Sequence, residues 1–221
     1  MRLIAPTFAG LLMAGLISGA CAHDGVEHAT QDEAATHAAE VAAPNVVNAP
    51  NTSDFPDVVG GEYHLVDQFG NERSSRDPAG HYQMIFFGYA SCKAICSVAL
   101  PRMAQAVEIL TAKGIAVTPL LITVDPERDT QSAMRKAIPD IHPRLIGLTG
   151  SEEALNAAYK AFSVEKKLVS EHPDEGPVYA HGTFVYLTGP DGAFKTLMPP
   201  VLGPERMAEI VASHVSGKAI N

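Results

Sequence analysis

Cys92 and Cys96 stand four positions apart in the stretch FFGYASCKAICSVAL, residues 86–100, directly after a run of large apolar side chains. Such a pair can be a structural disulfide, a redox dithiol, part of a metal site, or inert packing. As a bridge it would close a loop of only five residues. The entropic gain from a cross-link grows with loop length, so a purely structural disulfide makes poor use of both cysteines. If the segment is helical, the C-x-x-x-C spacing sets the sulfurs about one turn apart and both can face one point. That arrangement suits a soft metal ion.

The compartment bears on the same choice. The first 22 residues, MRLIAPTFAGLLMAGLISGACA, carry one cation at Arg2, an apolar middle and a small-residue end, the layout of a secretory signal cleaved after Ala22. A lipoprotein signal that acylates Cys21 and an uncleaved membrane anchor are the alternatives, and all three place the body of the protein in the periplasm or otherwise outside the cytoplasm. There unprotected thiols tend to oxidise, and with Cys21 removed or acylated only Cys92 and Cys96 remain. Residues 23–54 hold six acidic residues and no Lys or Arg, which predicts a disordered tether. The histidines in it, His23, His28 and His37, are expected to be solvated spacers rather than a metal site.

The formal net charge of −9, with Lys166-Lys167 the longest basic run, excludes a nucleic-acid partner, because a polyanion needs clustered cations. The 46% apolar content supports one sizeable core, assigned to residues 55–221. Its elements alternate. EYHLVDQFGNERSS predicts a hairpin turning near Gly70-Asn71, and YQMIFFG a buried strand. A helix starting near Ser97, with Pro101 tolerated in its first turn, runs to Gly114. IAVTPLLITV is a strand, TQSAMRKAI a helix ended by Pro139, and RLIGLT a strand. The next helix takes Thr149 as its cap, paired with Glu152. TFVYLT and AFKTLM form a hairpin, and Pro204 opens the last helix. This order is that of a thioredoxin-like α/β sandwich with an added N-terminal β-hairpin. In such sheets, sites form beyond the carboxyl ends of the strands, where Cys92 and Cys96 fall. A helix N-terminus and the neighbouring Lys93 there are expected to lower the thiol pKa values.

Four stretches, FFGYASCKAIC, LLITVDPERDT, RLIGLTGSEEAL and AHGTFVYLTGPDGAF, resemble in that order the motifs of the Sco/SenC family. These are copper proteins that assist assembly of the copper site in cytochrome c oxidase. The resemblance implies a thioredoxin-like fold and a copper site of two cysteines and one histidine, which carry over by motif to Cys92, Cys96 and His181. It also implies a partner that receives the metal, an oxidase subunit or another periplasmic cuproprotein. The donor chemistry agrees, since thiolates select Cu(I) and a neutral imidazole can complete a site that also accommodates Cu(II). His181 precedes the strand TFVYLT, where thioredoxins place a proline facing the dithiol.

The chain departs from the family pattern at Lys93 and Ser97, where prolines are common, and at Ala180 and Gly182, which flank the histidine. An acidic residue commonly stands at the position of Ala180. A metal-bound imidazole needs an acceptor to fix its tautomer, so Glu171, Asp174 or Glu175 in the preceding segment are the expected substitutes. Asp125 is a candidate for orienting a ligand, or else a turn residue before Pro126. Met103 and Met198 are thioether candidates, with Met103 expected to pack on the helix's apolar stripe instead, and His64, His81, His142, His172 and His214 carry no motif. Beside the copper carrier stands a second reading, a thiol-disulfide oxidoreductase that reduces the cysteines of a cuproprotein client, and behind it a thiol peroxidase. The first two share Cys92 and Cys96 and differ over His181.

Overall fold

A computed structural model describes residues 22–23, 26–27, 59–92, 95–173 and 176–217. The chain divides into two compact units, Met1–Thr52 and Ser53–Asn221. In the first, Ala22–His23 pairs antiparallel with Val26–Glu27. The remainder of the signal segment and of the tether, with the signal cleavage and Cys21, lies outside the described residues, as do Lys93, Asp174 and Glu175.

The second unit is built on a sheet of seven strands. In chain order these are β1 (His64–Asp67), β2 (Glu72–Ser74), β3 (Tyr82–Gly88), β4 (Val117–Thr123), β5 (Ile146–Thr149), β8 (Val185–Thr188) and β9 (Phe194–Met198). Across the sheet they run β9-β8-β3-β4-β5-β1-β2. β3, β4 and β5 are parallel neighbours, and β8 and β1 flank them antiparallel. Helices α1 (Cys96–Ala112), α2 (Gln131–Ile141), α3 (Glu152–Ala161) and α4 (Pro204–Ser216) complete the sandwich. α1 packs against α4 and over β3 and β4, α2 against β5, and α3 against β1.

The sequence pattern explains the layering. Six consecutive residues of β3, Gln83 to Gly88, are buried, so both faces of the strand must be covered, as a central parallel strand requires. α1 buries Ala99, Leu100, Met103, Ala106, Val107 and Leu110 against it at helical spacing, whereas Val98 is 40% exposed. The thioredoxin-like sandwich and its N-terminal hairpin, β1–β2, follow the order predicted from the sequence.

Three local expectations need correction. Helix α1 begins at Cys96, so Pro101 falls in its second turn. The carbonyl that would take its missing N–H belongs to Ser97, an exposed residue of the first turn. α2 continues past the exposed Pro139 to Ile141. The cap of α3 is Ser151, whose hydroxyl accepts from the Ala154 N–H at 3.2 Å; Thr149 instead ends β5. An element absent from the sequence reading also appears. β6 (Lys167–His172) and β7 (Gly176–Ala180) form an antiparallel ribbon outside the main sheet, with a register shift between Leu168 and Ser170.

Candidate metal site

Strand β3 ends at Gly88, and Tyr89 begins the loop that carries Cys92 to the first turn of α1. Two contacts shape that loop. The Cys92 N–H donates to the Tyr89 carbonyl at 3.1 Å, and the Ala90 N–H donates to the Asp129 carboxylate at 3.0 Å. Asp129 also accepts from the Thr123 hydroxyl at 2.7 Å, so a buried carboxylate ties the cysteine loop to the end of β4. Cys96 is the first residue of α1 and is buried, as is Cys92. No bond joins their sulfurs.

His181 comes from the opposite direction, directly after Ala180 at the end of the ribbon. Its Nε2 lies 3.8 Å from the Cys96 sulfur, and the ligand atoms of Cys92, Cys96 and His181 all lie within 4.8 Å of one another. Edge-on contacts with the Phe86 and Tyr89 rings, each 6.0 Å between centroids, hold the imidazole plane.

The tautomer has a partner of its own. His181 Nδ1 lies 2.9 Å from the Gly182 carbonyl, and a carbonyl can only accept. Nδ1 therefore carries the proton, and the Nε2 lone pair faces the sulfurs. A backbone oxygen does the work expected of a carboxylate at position 171, 174 or 175; Glu171 sits exposed on β6.

The thiol electrostatics differ from expectation. A helix N-terminus lowers a thiol pKa where water and dipole dominate, but Cys96 is held well above the ordinary range by its hydrogen bond with Cys92 and by burial. Tyr89 is pushed up to about 12 by burial and by its own hydrogen bond with Cys92. Without metal, Cys96 is a proton-holding thiol.

The consequence for stability has a definite sign. Below the ordinary thiol pKa of about 8.5, the Cys96 thiol is protonated in both folded and unfolded chains. Above it the unfolded chain sheds a proton that the fold retains, so stability falls as pH rises toward the raised folded value. The reduced, metal-free chain is expected to melt at progressively lower temperature above pH of about 8.5, and Cys96→Ala to flatten that slope. Parallel slopes for the two proteins would show that Cys96 titrates normally.

The other candidates stand apart from this cluster. Asp125 is buried and pairs with Arg128. Met103 and Met198 are fully buried in the core. His142 pairs with Glu108 at 3.3 Å, His81 lies 4.0 Å from Asp77, His64 is exposed on β1, and the His214 carbonyl accepts from Tyr82. Cys92, Cys96 and His181 form the one group of three or more His, Cys, Asp or Glu side chains gathered in this way among the described residues. Sequence reasoning missed Tyr89, Arg128 and Asp129, all of which touch the site or its supports. It also missed the ribbon, whose HPDEG turn signal was there to be read.

The profile of the SCO1/SenC family matches residues 51–216. The mitochondrial SCO2 homolog of Danio rerio is 37% identical over 157 residues, covering 70% of this chain and 56% of that protein. The crystal structure of yeast Sco1 with copper bound superposes with a TM-score of 0.67 at 29% identity, over 73% of this chain and 91% of that one. Arabidopsis thaliana ScoI with copper bound gives the same TM-score at 27% identity, over 72% and 99%.

Proposed function

Because this chain belongs to the SCO1/SenC family, we propose that it is a copper metallochaperone, holding copper as cargo through Cys92, Cys96 and His181. In this reading it delivers the metal outside the cytoplasm to an apo cuproprotein, an oxidase subunit. The observation that carries the reading is the convergence of two sulfurs and an imidazole Nε2 within 4.8 Å, with Nδ1 already committed to a carbonyl. Thiolates favour Cu(I), and a neutral imidazole adds the borderline donor that Cu(II) needs.

The protonated Cys96 thiol is compatible with this role. Loading Cu(I) displaces the proton that Cys96 holds, so uptake is coupled to proton release and strengthens with pH. The thiol-disulfide oxidoreductase uses the same two cysteines but gives His181 and its fixed tautomer no task, and so explains less. Among the described residues no helix is long and apolar enough to cross a membrane.

The test is copper uptake by the reduced chain. One Cu(I) is expected per molecule, with both Cys92 and Cys96 then protected from alkylation. Thiols that stay fully reactive at equimolar Cu(I) would exclude the carrier and leave the dithiol chemistry standing.

A further inference from the structure

We infer that Arg128 is the positioning residue for His181, a role that rests on the proposed copper site. The ribbon β6–β7 is an isolated pair of strands, and a two-stranded ribbon is marginal by itself. Every residue of β6 is exposed. The position of His181, one residue beyond the end of β7, therefore depends on whatever ties the ribbon to the domain.

One tie is the edge contact of Tyr179 in β7 with the Tyr89 ring, 6.2 Å between centroids, and Arg128 supplies another from the segment that follows β4. Its Nη2 donates to the Pro177 carbonyl in β7 at 2.6 Å, while Nε pairs with the buried Asp125 carboxylate. A Cβ on Gly176 would come within 3.0 Å of Nη1, so the turn end of β7 has only a glycine's width between itself and the guanidinium. The planar head also lies over the Tyr89 ring, 5.2 Å from its centroid. Tyr89 in turn touches both ligand-bearing segments, through its edge contact with His181 and through its carbonyl, which accepts from the Cys92 N–H at 3.1 Å. One side chain thus fixes the ribbon that presents the histidine and the aromatic ring that the histidine leans on.

The fork is what the task requires. A guanidinium can satisfy a carboxylate and a carbonyl in one plane and still stack on an aromatic face, whereas an ammonium is a point charge that cannot span all three. Arg128→Lys keeps the charge opposite the buried Asp125 but releases Pro177 and Tyr89.

The experiment measures Cu(I) and Cu(II) affinities by chelator competition for four full-length proteins: parent, Arg128→Lys, His181→Ala and the double variant. Thermal stability is recorded without copper for each. Because Arg128 acts through His181, Arg128→Lys is expected to weaken Cu(II) by about tenfold, the lower end of what loss of an outer-sphere partner costs. Cu(I), held by two thiolates, is expected to change by less than about twofold, and the double variant to bind Cu(II) no worse than His181→Ala alone.

Equal losses for both oxidation states, or a Cu(II) loss that persists in the His181→Ala background, would overturn the inference and leave Arg128 as a general stabiliser. If His181→Ala weakens Cu(II) and Arg128→Lys does not, the inference fails while the copper site stands. If His181→Ala has no effect, the copper site itself fails and the inference with it. Should Arg128→Lys not fold, Asp125→Asn with Arg128→Met removes both charges together, which avoids stranding a buried carboxylate, and the same readouts apply.

Discussion

His181→Ala is expected to weaken Cu(II) binding by more than the roughly 10–100-fold that loss of an outer-sphere partner costs, and to weaken Cu(I) far less. The asymmetry follows from the donors. Two thiolates can hold Cu(I) in a linear arrangement, while Cu(II) requires further nitrogen or oxygen ligands that water or buffer would have to supply. The fold should survive. His181 is half-buried in the coil between β7 and β8, and its lost contacts are the hydrogen bond to the Gly182 carbonyl and the edges of Phe86 and Tyr89, worth about 1 kcal/mol each. Competition titrations of both oxidation states, with melting curves alongside, read this directly. Equal Cu(II) affinity in parent and variant would remove His181 from the site.

The placing of Cys92 and Cys96 was legible in the sequence because both lie at an element boundary that local chemistry defines. A continuous apolar run ending in Gly88 marks a central strand, and the helical spacing from Ala99 to Leu110 marks the helix that must pack on it. The cysteines fall between the two in any right-handed crossover. Motif order then singled out His181. Nothing local could do so, since a histidine in a loop is ordinarily a solvated one.

What the sequence hid is the support around the ligands, for reasons that differ from residue to residue. Gly182 offers only a backbone carbonyl, and carbonyl direction is not written in side-chain identity. Arg128 and Asp129 stand in the short connection between β4 and α2. Their partners, Pro177, Tyr89 and Ala90, lie between 39 and 49 positions away, and Tyr89 and Ala90 become neighbours only once β4 is paired with β3. The ribbon was missed because β6 is exposed along its whole length, so it lacks the alternation that marks a half-buried strand. The thiol pKa was misjudged in the same way. The helix-terminus argument is local, whereas burial and the Cys92 hydrogen bond, which outweigh it, are tertiary.

Gly88 carries the second large effect. Residues two apart on a strand share a face, so a side chain at position 88 would project beside Phe86, into the space that the Cys96 sulfur occupies. A Cβ there would lie 2.9 Å from that sulfur and 2.9 Å from the Phe86 ring, well inside ordinary contact. Neither neighbour can yield freely. Phe86 is fully buried in the core and meets His181 edge-on, Cys96 is fixed by the first turn of α1, and the Gly88 carbonyl accepts from the Val124 N–H at 2.7 Å. Gly88→Ala is therefore expected to destabilise the reduced chain by about 1–3 kcal/mol, the usual cost of forcing one carbon into a packed core. It should also lower Cu(I) affinity, because the sulfur can relieve the clash only by leaving its position opposite Cys92 and His181. The two effects are separable by measuring chemical denaturation without copper and chelator competition with it. Lost stability with parental Cu(I) affinity would mean that strand β3 yields and the sulfur stays. Parental values for both would show that the space above Gly88 is wider than the Cys96 sulfur fills, and that glycine is not required for the thiol to reach the site.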